Sequence, residues 1–119
     1  MKDSFSELCG LELIENRPGY AKARVRINDN HLNSVGVVHG GVLFTLADYC
    51  FGKAANAYGK VALTINCSIS FFVKCTTGNL TAEAEEMNKS NRLNSYSVNI
   101  RNEAGVLVAH FTGTAYSVE

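Results

Sequence analysis

Only one segment of the chain, Gly40 to about Tyr58, has the length and pattern of a long helix, and nearly everything after it reads as strand. A lone long helix has no second helix to pack on, so it must bury its apolar surface against a sheet. Val42, Leu43, Leu46, Ala47, Cys50, Phe51, Ala54 and Ala55 cover most of its circumference, which predicts a helix buried on most sides. Gly59 is the natural stop.

The strands follow from period-two alternation. In Tyr20 to Ile27, Ala21, Ala23, Val25 and Ile27 fall on one face, and Lys22, Arg24 and Arg26 on the other. Leu80 to Met87 alternates in the same way, as does Leu93 to Arg101 with Tyr96, Val98 and Ile100 together. Val61 to Lys74 is a long β-branched and aromatic run, and Val106 to Val118 is the last strand. Leu11 to Asn16 makes a first strand ahead of the Arg17-Pro18-Gly19 turn. Ser4 with Glu7 is a weak capping-box signal for a short helix over Ser4 to Cys9. Short turns at Thr77 to Asn79, Asn88 to Asn91 and Asn102 to Gly105 join the later strands, so the sheet is antiparallel. The predicted class is α+β, with an antiparallel sheet curled around one long helix.

The chain's 119 residues suit a single domain over 1–119. Eleven basic and eleven acidic residues balance, which excludes a general nucleic-acid binder but leaves room for a local basic rim. Cys9, Cys50, Cys67 and Cys75 form no C-x-x-C pair, so a zinc ribbon or redox dithiol is not expected. Cys50 and Cys67 lie in apolar runs and read as small core residues. Free thiols, and an N-terminus without a signal-peptide h-region, give a cytoplasmic expectation. No apolar run approaches the roughly 20 residues of a membrane span.

Asn33 to Asp48, N-S-V-G-V-V-H-G-G-V-L-F-T-L-A-D, concentrates the candidate chemistry. Gly40 and Gly41 either make only a tight helix start or leave backbone N–H groups free for a developing negative charge. His39 either holds its loop or hydrogen-bonds a substrate carbonyl. Asn33 is either a loop residue with local backbone bonds or a second carbonyl donor. Asp48, among apolar neighbours, is either held by a structural partner or faces a cleft, where desolvation makes it a base or nucleophile. Gly40 and Asp48 lie about 12 Å apart along a helix axis. A nucleophile must come within about 3–3.5 Å of the carbonyl that the N–H holds. One straight helix cannot bring them together, so the spacing predicts a two-fold dimer in which Asp48 of one chain faces Gly40 of the other. The Thr64 hydroxyl, on the following strand, either packs as an ordinary strand residue or orients Asp48. Lys74, Lys89 and Arg92 are either solvated charges or a phosphate-binding group. His31 and His110 stand outside the site, and no His/Asp/Cys pair has metal-ligand spacing.

The pattern N-x-x-G-x-x-H-G-G-x-x-F-x-L-A-D resembles the signature of the hotdog-fold thioesterases, and within them the PaaI-like acyl-CoA thioesterases of phenylacetate degradation. The later strands and the closing Arg92 to Tyr116 extend the likeness over most of the chain. The resemblance implies a hotdog fold and a homodimer, often doubled to a homotetramer. It implies hydrolysis of an acyl-CoA to the free acid and coenzyme A, with no metal or redox cofactor. Asp48 would be the catalytic carboxylate, Gly40 the oxyanion N–H, His39 and Asn33 the carbonyl-positioning residues, and Thr64 a helper of the attack. Asn66 and the segment holding Lys89, Ser90 and Arg92 fall near the coenzyme A site. Phe44, Phe51, Phe71 and Phe72 would line the acyl tunnel. The rivals are a non-catalytic acyl-CoA-binding or sensing protein and a hotdog dehydratase, which expects a different His-containing loop and helix acid. A specialised hydroxybenzoyl-CoA thioesterase is a further alternative that the motif alone does not exclude.

Overall fold

A computed structural model describes residues 3–118. The order is α1 (Ser4–Cys9), β1 (Leu11–Arg17), β2 (Tyr20–Arg26), a 3-10 turn (Asp29–His31), α2 (Gly40–Asn56), then β3 (Ala62–Phe71), β4 (Asn79–Lys89), β5 (Leu93–Arg101) and β6 (Leu107–Ser117). The strands form one sheet in the order β1-β2-β4-β5-β6-β3, every pair antiparallel. The sheet wraps α2, which is the hotdog arrangement the resemblance implies.

The sheet is shaped for the helix. Ala21 pairs with Ala84 and Ala23 with Ala82, and all four side chains are buried. Small residues at these inward positions let the helix backbone lie close to the strands. Beyond them, Phe51, Tyr96 and Phe111 fill the space, with ring centroids 5.4–5.7 Å from Phe51. Burying each such ring contributes about 1.5–3 kcal/mol.

Four local expectations are corrected. The cap of α1 is Asp3, whose Oδ1 accepts the Ser6 N–H at 3.1 Å, and not Ser4, which is already helical. Helix α2 stops at Asn56, where the side chain turns to donate to the carbonyls of Gly52 and Ala62 and accept the Ala62 N–H. The 61–74 run is a strand only to Phe71; beyond it the Phe72 and Val73 N–H groups both turn onto the Val108 carbonyl. Finally, α2 is not buried on most sides. Leu43, Leu46, Ala47, Cys50, Phe51, Ala54 and Ala55 form one buried stripe, while Gly41 and Asn56 are exposed and Thr45, Asp48, Tyr49, Gly52 and Lys53 half-buried. The sheet reaches only part-way round.

Cys50 is a core residue as expected. Its thiol donates to the Ala21 carbonyl at 3.2 Å, and burial pushes it up to about 12. Cys67 is only half-buried, because it sits on the edge strand β3. No helix of the described residues is long and apolar enough to cross a membrane.

Candidate active site

The loop before α2 is built by local polar bonds. His31 is buried, its Nδ1 accepting the Asn28 N–H at 3.0 Å and its Nε2 donating to the Cys9 carbonyl at 2.7 Å. Asn33 Oδ1 accepts the N–H groups of Val35 and Val37 at 3.0 and 3.1 Å, an Asx turn that closes the loop. The bland reading of Asn33 therefore holds within the protomer, and only its Nδ2 remains free among the described residues.

His39 caps α2. Its Nδ1 accepts the Gly41 N–H at 2.9 Å, so Nε2 is the ring nitrogen left to donate. The Gly41 donor is thus spent internally, whereas the Gly40 N–H has no partner among the described residues. A side chain at Gly40 would place its Cβ 3.2 Å from the Phe71 ring, so glycine keeps this donor accessible beside the aromatic. Gly40 opens into a cleft of about 310 Å³ with Val37, Val38, Leu43, Phe71, Phe72 and Lys74 among its walls. His39 and Gly41 instead face a separate hollow with Phe5 and Cys9.

Asp48 is half-buried on the open side of α2. Desolvation raises its pKa above the ordinary carboxylate value, the Thr64 hydrogen bond lowers it, and the nearby Asp3 charge raises it. Thr64 Oγ1 donates to Asp48 Oδ1 at 3.4 Å, a long bond that the β3 register supplies. Asp48 lines a groove of about 270 Å³ with Asp3, Tyr49, Gly52, Lys53 and Asn56. The Gly40 and Asp48 features share no lining residue. One protomer therefore presents an unpartnered backbone donor and a desolvated carboxylate in two different places.

The coenzyme A candidates divide likewise. Lys89, Ser90 and Arg92 come together at the β4–β5 turn. Ser90 Oγ braces that turn against Leu93, Lys89 Nζ lies 4.8 Å over the Tyr58 ring, and Arg92 reaches the Ser117 carbonyl at 3.5 Å. Asn66 is apart from them on β3, exposed and opposite Thr114. Of the four phenylalanines, Phe71 and Phe72 line the Gly40 cleft, Phe44 packs edge-on against Phe111, and Phe51 is core rather than tunnel wall. Sequence reasoning missed Tyr49, Gly52, Lys53, Asn56 and Asp3. The signal was present for two of them, since Gly52 and Asn56 follow Asp48 at i+4 and i+8 and share its helix face. Among the described residues, no cluster of His, Cys, Asp and Glu side chains could hold a metal ion.

The profile of the Thioesterase superfamily matches residues 35–109, which take in His39, Gly40, Asp48 and Thr64. The chain belongs to the thioesterase superfamily. Its sequence is 30% identical over 117 residues to the acyl-coenzyme A thioesterase PaaI of Escherichia coli (strain K12), covering 98% of this chain and 84% of that protein. Its fold superimposes on the TT0310 protein of Thermus thermophilus with a TM-score of 0.94 and 37% identity, covering 99% and 100% of the two chains. It superimposes on the E. coli PaaI protein of the phenylacetic acid degradation operon with a TM-score of 0.96 and 29% identity, covering 99% of this chain and 86% of that one. Membership supports hydrolase activity of the thioesterase type in general.

Proposed function

We propose that this protein is an acyl-CoA thioesterase, acting as one domain over residues 1–119 and as a homodimer or a dimer of dimers. The aryl and phenylacetyl types of acyl group are the substrates proposed. The observation that carries the reading is the separation of the unpartnered Gly40 N–H from the desolvated Asp48 on one rigid helix. Two antiparallel copies of α2 would join the halves into two equal sites.

Edge strand β3 supports the pairing. It is ten residues long, ends the sheet and leaves Leu63 and Ile65 exposed. A long unpaired apolar edge is a template for another strand, and a second β3 would satisfy it.

In the proposed reaction, Gly40 N–H of one protomer polarises the thioester carbonyl, and the α2 dipole adds to the field. His39 Nε2–H and Asn33 Nδ2 are the further donors that would position it. Asp48 of the partner either adds its own oxygen to the acyl carbon or takes the proton of an attacking water. The carbonyl electrons move to the oxyanion and return, the C–S bond breaks, and the sulfur leaves as thiolate and is protonated to coenzyme A. On the covalent route, water then cleaves the acyl anhydride and restores Asp48. Thr64 holds the carboxylate, and Asn66, Lys89, Ser90 and Arg92 hold the coenzyme A portion. No metal or redox step is needed.

The test is thiol release from a panel of aliphatic and aromatic acyl-CoAs, with Asp48→Asn as control. Turnover should fall by on the order of 10²-fold or more in the variant. No thiol release by the wild-type protein from any member of the panel would refute the reading. A stable, fully active monomer in a size measurement would refute the shared site.

A further inference from the structure

We infer that His31 is a positioning residue for thioester cleavage: its buried ring anchors the strand that aims Asn33 at the substrate carbonyl. The inference rests on the thioesterase reading above.

The segment from His31 to His39 is a tight hairpin. The His31 carbonyl accepts the His39 N–H at 2.9 Å, Leu32 bridges Val38, and the Asn33 N–H donates to the Val37 carbonyl at 2.8 Å. Gly36 turns the tip at φ +79°, and its N–H donates to the Asn33 carbonyl at 3.0 Å. The two strands of this hairpin are held differently. The outgoing one runs into α2, where His39 caps the helix, and its Val38 N–H reaches the Cys75 carbonyl at 2.8 Å. The incoming one carries Asn33. Its single hydrogen bond to a distant segment, among the described residues, runs from His31 Nε2 to the Cys9 carbonyl at 2.7 Å.

His31 is only 4% exposed and lines neither the Gly40 cleft nor the hollow that His39 faces, so it can act only through other residues. Its ring is fixed from two edges. Nδ1 accepts the Asn28 N–H at 3.0 Å, while Nε2 holds Cys9. Hydrogen bonds weaken steeply off axis, so the pair sets both the plane and the depth of the ring. Cys9 ends α1 just before β1, and Asn28 follows β2, so the ring ties the incoming strand to both ends of the β1–β2 unit. An apolar side chain could fill the same space, but it would leave the Asn28 donor and the Cys9 acceptor unpaired and the strand free to shift. Asn33 inherits its aim from that strand. Its Oδ1 is spent on the Val35 and Val37 N–H groups inside the hairpin, so its free Nδ2 points where the hairpin points. Misplacing such a group by about 1 Å can cost up to about 10²-fold in rate.

The test uses His31→Asn and His31→Gln in the full chain, assayed on the acyl-CoA that the wild-type protein cleaves fastest. Asn keeps an acceptor for the Asn28 N–H but is too short for Cys9. Gln, the usual capping-box residue at this position of a turn, carries acceptor and donor on a longer flat amide. In His31→Asn, kcat should fall on the order of tenfold with KM little changed, because what is lost is orientation and not binding. His31→Gln should recover most of it. In an Asn33→Ala background His31→Asn should cost far less, since the residue it positions is gone. The backbone amide NMR signals of Val35 and Val37 read the same anchoring without turnover: they should move in His31→Asn and return in His31→Gln. Such movement in a protein that cleaves no thioester would sink the thioesterase reading and leave His31 as the anchor of Asn33. Wild-type kcat in His31→Asn, or the same loss with and without Asn33, would overturn the inference. So would Val35 and Val37 amides that stay in place.

Discussion

The two faces of α2 share one backbone and differ in almost everything else. The buried face carries Leu43, Leu46, Ala47, Cys50, Phe51, Ala54 and Ala55 against the sheet. The open face carries Gly41, Thr45, Asp48, Gly52 and Asn56, none of them fully buried. The first face is apolar and close-packed; the second has a carboxylate whose charge is costly, a glycine that weakens the helix and a groove instead of a neighbour. One side holds the helix in place so that the other can keep groups the chain would not choose for stability.

The sharpest way to break this division is to cut into each face and compare the cost. Phe51→Ala removes the ring that meets both Tyr96 and Phe111, and should destabilise by about 3–5 kcal/mol in chemical denaturation. Thr45→Ala removes only a hydroxyl that donates to the Gly41 carbonyl at 2.7 Å, and should change stability by about 0.5 kcal/mol or less. Comparable losses from the two would mean that the open face also carries the fold.

The buried face was the legible one. Alternation in β2, β4 and β5 identified Ala21, Ala23, Val25, Leu80, Ala82, Ala84, Tyr96, Val98 and Ile100, all of which are buried. Periodicity works there because one pattern meets one surface. The open face was legible only at Asp48, where a charge interrupts apolar neighbours. How far the sheet wraps is a tertiary fact, so the same reading overstated the burial of α2 and of Cys67 on β3. It also passed over Gly52 and Lys53, which look like an ordinary helical defect and an ordinary solvated charge until the groove is seen. The separation of Gly40 from Asp48, by contrast, needed only the helical rise, and the two do open in different places.

A smaller effect sharpens the role of the bond across the open face. Thr64→Val removes the donor that favours ionised Asp48. With that contribution gone, the Asp48 pKa rises further, and the acid limb of the pH–rate profile should move to higher pH. The rate should fall on that acid limb and change little on the plateau above it, with Thr64→Ser restoring the wild-type limb. A uniform fall with no movement of the acid limb would make Thr64 a packing residue only.

The smallest effect concerns stability and not rate. Burial raises the Asp48 pKa in the folded protein, so folding favours the protonated acid. The sign follows from linkage. The contribution is fully present below the ordinary Asp pKa and is lost as pH rises through the raised folded value. At neutral pH the ionised carboxylate is therefore a net cost to the fold. Asp48→Asn keeps the shape and removes the ionisation, so it should stabilise the protein at neutral pH by about 0.5–1 kcal/mol, within the usual range for relief of one unfavourable site. That gain should shrink as pH falls toward the range where Asp48 is protonated in both states. Thermal melts of the two proteins across that range measure the difference. A gain that grows on acidification, or a loss at neutral pH, would place Asp48 among the residues that hold the fold together and erase the contrast between the two faces.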